Sequence, residues 1–254
     1  MSLPDSSILT NIQVPGPSSA LDILFEKKYI ITRSLENKLY SDEEVVKLPE
    51  IAAGHTHWKE WQMRQLSSHR LLRYLAAKRR PMEILEVGCG NGWLSHLMAE
   101  IPDVRVTGLD INFTELQQAA RVFNDDPNLS FIHGDIRNPV LNELQFDVIL
   151  FAATLEYFPS LKKTIHRCIC HLKPGGEIHI MDTELYKPEA IPAARMKRLA
   201  YYTSLGYPEM ADFYFYHSLR DLRSFHHVWL YNPDGLVPKI FGRRGDLPWI
   251  RITN

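Results

Sequence analysis

The chain alternates between short apolar runs and segments whose apolar residues recur every three or four positions. The apolar runs predict strands at residues 83–87, 104–110, 129–134, 146–153, 177–182, 227–232 and 247–253. The periodic segments between the first five runs predict helices at residues 93–100, 113–124 and 160–171. Strands that alternate with helices at this spacing are joined by right-handed crossovers, so the pattern predicts a largely parallel sheet.

Both ends of the chain depart from this alternation. Residues 1–20 are rich in Ser, Pro and Asn and predict a disordered tail. Residues 21–80 predict an N-terminal helical cap, and residues 184–217 predict a lid inserted into a core of residues 81–254. We therefore expect an α/β fold with a doubly wound sheet of seven strands, parallel except for the last strand.

A glycine-rich turn separates the first predicted strand from the first predicted helix. Gly88, Gly90 and Gly92 alternate along it, so the backbone can turn tightly and approach a ligand closely. The following helix points its N-terminal amides at the turn, which favours a nucleotide-type cofactor. A dinucleotide turn would have another glycine where Trp93 stands, which argues against a nicotinamide-dependent oxidoreductase.

The turn and the acid before it, Glu86-x-Gly88-x-Gly90-x-Gly92, resemble motif I of the class I S-adenosylmethionine-dependent methyltransferases. Four further stretches match the family in order over residues 82–182: Gly108-Leu109-Asp110-Ile111, His133-Gly134-Asp135-Ile136, Phe146-Asp147-Val148-Ile149-Leu150-Phe151 and Leu172-Lys173-Pro174-Gly175-Gly176. The resemblance implies a Rossmann-like fold, S-adenosyl-L-methionine as the cofactor and S-adenosyl-L-homocysteine as the product. It implies an enzyme that transfers a methyl group.

The resemblance also implies roles for individual residues. Asp110 would accept hydrogen bonds from the ribose hydroxyls, and Asp135 would read the adenine edge. Glu86 would accept from the methionine ammonium and Arg64 would contact the methionine carboxylate. The other expected cofactor contacts lie in the turn, beside the adenine or at the fourth strand's end: Gly88, Cys89, Gly90, Gly92, Ile111, Ile136 and Phe151. Turn capping remains the alternative for the two aspartates, and a solvated helix face for the arginine.

Three residues are candidates for the chemistry of the acceptor. His217 is the preferred general base, because a neutral imidazole near the operating pH can take a proton. Tyr157 and Glu156 follow the fourth strand and are expected to contact the acceptor. The protein otherwise contributes positioning and exclusion of water to an in-line displacement. A structural role is the alternative for His217.

Seven aromatic residues are concentrated in the predicted lid: Tyr201, Tyr202, Tyr207, Phe213, Tyr214, Phe215 and Tyr216. They favour an apolar or aromatic acceptor, or shielding of the sulfonium by cation–π contact. Most of them are expected to pack the lid onto the core instead, and one or two to line a pocket.

The amino-acid composition limits the classes of partner that the protein is expected to bind. Lys and Arg number 29 against 30 Asp and Glu, so no excess of positive charge favours nucleic acid or an anionic membrane. Three cysteines without framework spacing, and no apolar stretch of ~20 residues, predict a cytoplasmic protein without a membrane span. No spacing completes a metal site. A small-molecule acceptor is expected, a homodimer is left open, and a non-catalytic S-adenosylmethionine-binding regulator is the alternative to an enzyme.

Overall fold

The computed structural model describes residues 12–14, 20–233 and 247–253. These residues form eight strands: β1 (Ile12–Gln13), β2 (Met82–Val87), β3 (Val104–Asp110), β4 (Leu129–His133), β5 (Phe146–Ala152), β6 (Leu172–Met181), β7 (His226–Tyr231) and β8 (Trp249–Thr253). They also form seven α-helices: α1 (Ala20–Leu35), α2 (Asp42–Val45), α3 (Trp58–Ala76), α4 (Trp93–Ala99), α5 (Phe113–Val122), α6 (Leu161–Ile169) and α7 (Ile191–Ser204).

The strands build one sheet in the order β1-β4-β3-β2-β5-β6-β8-β7. Neighbouring strands from β1 to β6 are parallel, and β8 runs against both β6 and β7. The predicted doubly wound sheet with one reversed strand is therefore confirmed. The strand order reverses between β2 and β5, and ligands of such sheets bind at the carboxyl ends of the strands at this point.

The predicted number of strands was one too low. Ile12 and Gln13, within the tail expected to be disordered, pair in parallel with Phe131 and Ile132 of β4. Ile12 is buried in the core, which holds this two-residue strand on the sheet. The prediction of disorder is wrong for these two residues, while residues 1–11 and 15–19 of the tail lie outside the described residues.

Successive residues of the central strands enter opposite faces of the sheet, because side chains alternate along a strand. Ile84 of β2 and Leu150 of β5 belong to the core cluster that also contains residues of α3, α4 and α5. Leu85 and Ile149 belong to the cluster that contains residues of α6. The apolar runs of the sequence therefore correspond to strands covered on both faces, as parallel sheets require.

The helical cap and the lid meet above the carboxyl ends of the strands. Phe25 of α1 packs against Phe213 of the lid, with ring centroids 5.3 Å apart. Lys28 forms an ion pair with Glu209, and the Tyr201 hydroxyl donates a hydrogen bond to Glu36. These contacts between distant segments place α1 and α7 over the same end of the sheet.

Two local segments have irregular structure. Residues 173–176, part of a stretch that resembles the family, lie within β6, which bulges between the pairs Phe146–Leu172 and Val148–Glu177. The segment after the lid contains a 3-10 helix at Leu219–Leu222. In the part of the chain that the structure describes, no helix is both long and apolar enough to cross a membrane.

Candidate functional site

Two adjoining cavities open at the carboxyl ends of β2 and β5. The turn cavity, about 100 Å³, is lined by the glycine turn and by side chains of the helical cap. The lid cavity, about 470 Å³, is lined by the loop after β5 and by side chains of α1 and α7. Six residues line both cavities: Tyr29, Arg33, Lys38, Glu60, Arg64 and Ala153. A ligand larger than the turn cavity therefore extends along this common wall toward the lid cavity.

The conformation of the glycine turn is fixed by contacts with the end of β3 and with the loop after β5. Gly88 donates its backbone N–H to the Leu109 carbonyl at 2.7 Å, and Gly90 donates to Asp110 Oδ2 at 2.7 Å. A Cβ on Gly88 would lie 2.0 Å from Thr154 Oγ1, and the φ angle of +77° also requires glycine. The turn is thus held against the end of β3 and against the loop after β5.

Three buried or half-buried acids surround this turn. Burial raises the pKa of Glu86 to about 8, against the opposing effect of a hydrogen bond from Ser95. Burial and, to a smaller extent, the nearby Asp110 carboxylate raise the pKa of Glu115 to about 7. Burial also raises the pKa of Asp110. A cation bound in the turn cavity would favour the charged forms of all three carboxyl groups.

The opposite wall of the turn cavity is basic. Lys38 and Arg64 both pair with Glu60, at 2.9 and 3.2 Å. Burial alone would raise the pKa of Glu60, but these cations, with Arg33 nearby, hold it at about 2. The Arg64 guanidinium lies 5.5 Å from the Trp61 ring. The cavity therefore places acids beside the glycine turn and bases on the helical cap.

Comparison with known families relates part of this geometry to methyltransferases. Residues 84–176 match the family model of a methyltransferase domain. Over these residues the chain is similar to that family. The glycine turn, both ends of β3 and the whole of β5 lie within the matched residues.

Curated relatives show the same similarity. The chain is similar to malonyl-[acyl-carrier protein] O-methyltransferase of Halalkalibacterium halodurans, 27% identical over 147 residues, 54% of each chain. It is also similar to ubiquinone biosynthesis O-methyltransferase of Salmonella arizonae, 28% identical over 145 residues, 54% of this chain and 58% of that protein. The chain thus spans about half the length of these curated relatives.

A solved structure shows the same fold over most of the chain. The plantazolicin methyltransferase BpumL, in complex with a pentazolic desmethylPZN analog and SAH, aligns with a TM-score of 0.57 at 16% identity. The alignment covers 92% of this chain and 95% of that chain. The likeness supports a Rossmann-like fold for this chain.

The structure brings five of the predicted cofactor-binding residues together at the glycine turn. Five line the turn cavity: Arg64, Glu86, Gly88, Cys89 and Gly90. Cys89 is buried, and burial raises the pKa of its thiol well above the ordinary value, so it is an inert turn residue. Asp110 and Ile111 close β3 beside this cavity, where both Asp110 oxygens accept backbone hydrogen bonds, from Gly90 and Asn112.

The predicted contacts on the adenine side are less well supported. Asp135 accepts hydrogen bonds from the Arg137 backbone at 2.7 Å and from its Nε at 2.8 Å, which is the turn-capping alternative. Ile136 and Phe151 are 3% and 0% exposed and belong to the core cluster on the α6 face. Their side chains point into the core rather than the cavity, so the structure does not support cofactor contacts for them.

Gly92 has a packing role in the glycine turn. It does not line either cavity, and its N–H donates to the Cys89 carbonyl within the turn. A Cβ at this position would lie 2.9 Å from the Ala119 Cβ and 3.0 Å from the Phe131 ring. Its predicted cofactor contact is therefore replaced by a close approach of α4 to α5 and β4.

Gly92→Ala is expected to lower the free energy of unfolding by about 2–4 kcal/mol, because positive-φ strain adds to steric overlap. Gly175→Ala is the matched control: it has the same φ of +75°, but no heavy atom lies within 4 Å of the added Cβ. It should cost about 1–2 kcal/mol. Urea unfolding measures both, and equal losses would contradict the packing role.

The structure does not support the prediction that His217 is a general base. The side chain is buried, lines neither cavity, and donates its Nε2 hydrogen bond to the Leu155 carbonyl at 3.0 Å. Burial lowers the pKa of the imidazole, so it stays neutral. Its backbone carbonyl accepts from the Tyr186 N–H at 2.8 Å. His217 therefore fastens the end of the lid to the loop after β5.

The other two candidates, Glu156 and Tyr157, do line the lid cavity. Burial raises the pKa of Glu156, and its Oε2 accepts a hydrogen bond from Thr183 Oγ1 at 3.4 Å. Tyr157 lies between Phe25 and Tyr29 of α1, with ring centroids 5.4 and 5.9 Å away. These residues are the part of the loop after β5 that an acceptor in the lid cavity would touch.

Three of the lid aromatics line the lid cavity, one more than the expected one or two: Tyr201, Tyr202 and Tyr214. Tyr202 also packs with Tyr207 and Phe213 into a cluster with α1. The cavity is aromatic but not apolar, since charged side chains alternate with the phenols. Within the described ranges, no group of three or more His, Cys, Asp or Glu side chains is placed to hold a metal ion.

The residues of the two cavities that sequence reasoning missed include Tyr29, Arg33, Glu115 and Arg198. Tyr29 and Arg33 lie four positions apart on one face of α1, a spacing that was available but carried no motif. The Glu115 N–H donates to Asn112 Oδ1 at the start of α5, so its position in the sequence indicates only a helix cap. Arg198 of α7 reaches the lid cavity from a segment without any recognisable motif.

Proposed function

We propose that this chain transfers a methyl group from S-adenosyl-L-methionine to a small-molecule acceptor by in-line displacement. The observation that carries the proposal is the charge pattern of the turn cavity. Acids with raised pKa values surround a glycine turn, and Arg64 and Lys38 face them. This pattern complements a ligand that has two positive centres and one carboxylate.

The residues present fit the methionine and ribose parts of that cofactor. Glu86, with its raised pKa, would accept from the ammonium, and the glycine turn with Arg64 would hold the carboxylate. The Asp110 carboxylate stands at the end of β3, where the ribose diol would find its acceptor. When bound, the cofactor supplies an activated methyl group on a good leaving group. The protein supplies positioning and exclusion of water.

We infer that Glu156 holds the proton of the acceptor's nucleophile. Glu156 lines the lid cavity next to the residues shared with the turn cavity. Its raised pKa makes its carboxylate a stronger base, which suits it to accept a proton. An oxygen nucleophile is favoured by the names of the two curated relatives, both of which are O-methyltransferases. Tyr157 would form part of the wall against which the acceptor packs.

Binding calorimetry tests the cofactor assignment directly. S-adenosylhomocysteine should bind with micromolar affinity, and NAD should not bind. Absence of S-adenosylhomocysteine binding would contradict the proposal. Incubation with labelled S-adenosylmethionine and cell metabolites then separates an enzyme from a regulator, because only an enzyme yields a labelled small molecule. We place the reaction in a reducing cytoplasm, in line with three free cysteines; the homodimer stays a prediction.

A further inference from the structure

The lid cavity has a charge pattern that the methyl-transfer site does not explain. Nine of its lining residues are ionised at neutral pH or carry carboxyl groups: Arg33, Glu36, Lys38, Glu60, Arg64, Glu156, Glu184, Lys197 and Arg198. Those of the helical cap pair with one another. Arg33 pairs with Glu36 at 3.3 Å, and Lys38 and Arg64 pair with Glu60. The cap side of the cavity is therefore electrostatically satisfied.

The α7 side of the cavity is different. Among the described residues, no carboxylate oxygen lies within 4.0 Å of the Lys197 or Arg198 side-chain nitrogens. Glu184, the nearest acid in sequence on that wall, accepts instead from the Tyr186 hydroxyl at 2.8 Å. Arg198 is half-buried, so water compensates its charge only in part. Among the described residues, this arginine therefore has no carboxylate within ion-pair distance, although the charge of the Glu156 carboxyl group on the same cavity interacts with it.

The position of the Arg198 guanidinium is defined by aromatic rings. Its central carbon lies 4.0 Å from the centroid of the Tyr214 ring, within the range of a cation–π contact. Stacking occupies the face of a guanidinium and leaves the N–H groups in its plane to donate. Phenols of Tyr157, Tyr186 and Tyr202 surround it and interact with its charge. This wall pairs a planar fork of donors with flat aromatic surfaces.

We propose that the lid cavity contains an anion subsite, formed by Arg198 with Lys197 at its edge, and that the methyl acceptor is a planar molecule bearing a carboxylate or phosphate. Arginine forks bind both oxyanions in bidentate geometry, and tyrosine rings stack on planar bodies. Only the statement that the bound molecule is the methyl acceptor rests on the proposed function. The anion subsite itself is defined by this cavity and can be tested without the cofactor.

The first test compares acids with their uncharged counterparts on the unmodified full chain. The probes are 4-hydroxybenzoate, 3,4-dihydroxybenzoate and phenyl phosphate, with the primary amides of the two acids and phenol as neutral partners. Binding is followed by calorimetry and by saturation-transfer NMR. We expect each acid to bind about tenfold or more tightly than its amide. Comparison of the acids with phenyl phosphate shows which oxyanion the subsite prefers.

The second test uses a matched pair of arginines on α7. Arg198→Gln should reduce the affinity for the anionic probes about tenfold to hundredfold and leave that for the amides unchanged. Arg195→Gln is the control, because Arg195 stacks on Tyr216 at 5.6 Å but does not line the cavity. It should bind the probes as the unmodified chain does. Arg198→Lys should retain part of the affinity, since it keeps the charge but loses the fork.

Three results would overturn the anion subsite: equal binding of acids and amides, failure of every anionic probe to bind, or equal losses in the Arg195 and Arg198 variants. If the Arg198 variants do not fold, as judged by circular dichroism, the acid-to-amide ratio of the unmodified chain still decides. Calorimetry with S-adenosylhomocysteine on the same samples keeps the two proposals apart. If the unmodified chain does not bind S-adenosylhomocysteine, the methyl-transfer function is rejected. If it binds acids and amides equally, the anion subsite is rejected.

Discussion

Asp110→Asn is expected to weaken S-adenosylhomocysteine binding about a hundredfold. The carboxylate ends β3, where Oδ2 accepts from the Gly90 N–H at 2.7 Å and Oδ1 from the Asn112 N–H at 2.8 Å. It thus shapes the glycine turn and supplies the charged acceptor for the ribose diol. Asparagine keeps one acceptor oxygen and loses the charge, so hydrogen bonds worth about 1.5–3 kcal/mol each are weakened. Calorimetry at neutral pH measures the effect.

A carboxylate outside the site provides the control for this change. Asp42, at the start of α2, pairs with Arg121 on the exposed surface, and its side chain is 40% exposed. Asp42→Asn should leave the affinity for S-adenosylhomocysteine unchanged. An Asp110→Asn variant that binds within threefold of the unmodified chain would show that the acid is only a turn cap. That result would mean that another residue binds the ribose hydroxyls.

Glu177→Gln is expected to lower the free energy of unfolding by about 3–5 kcal/mol, since it breaks a buried ionic network. The Glu177 carboxylate accepts from the Tyr74 hydroxyl at 2.9 Å and from Lys78 Nζ at 2.8 Å, both on or beside α3. It also contacts Arg251 of β8 at 3.3 Å and the His179 Nε2 at 3.1 Å. One side chain therefore ties α3 to β6 and β8, and urea unfolding at pH 7 measures its loss.

The same carboxylate makes stability depend on pH. Burial alone would raise the pKa of Glu177, but hydrogen bonds from His179, Lys78 and Tyr74 lower it from 4.5 to about 2. Its contribution is complete above pH 4.5, where the unfolded chain is also ionised, and is lost as the pH falls toward 2. This difference corresponds to about 2–3 kcal/mol. The gap between the unmodified chain and Glu177→Gln should narrow correspondingly between pH 5 and pH 2.

Glu83→Gln serves as the matched control for the network. Glu83 lies on the neighbouring strand β2 and pairs with Arg105 at 3.3 Å, but the two side chains are 39% and 73% exposed. Exposed pairs contribute less than about 1 kcal/mol, because water screens them. Equal losses in the Glu83 and Glu177 variants would contradict a special role for the buried network.

The sheet could be predicted closely from the sequence because its strands are buried on both faces. All residues of β5 from Phe146 to Phe151 are buried, and such strands appear as continuous apolar runs. The exception was β1, where two residues carry no periodicity of their own. Ile12 and Gln13 become a strand only because the edge of β4 offers unpaired backbone groups and an apolar contact.

The direction of individual side chains was less predictable than the position of their elements. The family pattern correctly placed Phe151 at the end of β5 and Ile136 after β4, but both side chains turn toward the core. A strand end determines where a residue lies along the sheet, and the alternation of faces determines what it touches. The role predicted for His217 is unsupported for the same reason, since its burial depends on the loop after β5.

The sequence by itself determined the glycine turn, the acids at the strand ends and the order of strands and helices. These features are local: each requires particular residue types at fixed spacing along a few positions of the chain. Only the tertiary structure decided the acceptor side. Its lid cavity combines α1 with the loop after β5 and α7, and α1 lies more than a hundred residues before both of them in the chain. Contacts such as that between Arg198 and Tyr214 depend on how these segments pack, and packing has no local signature in the chain.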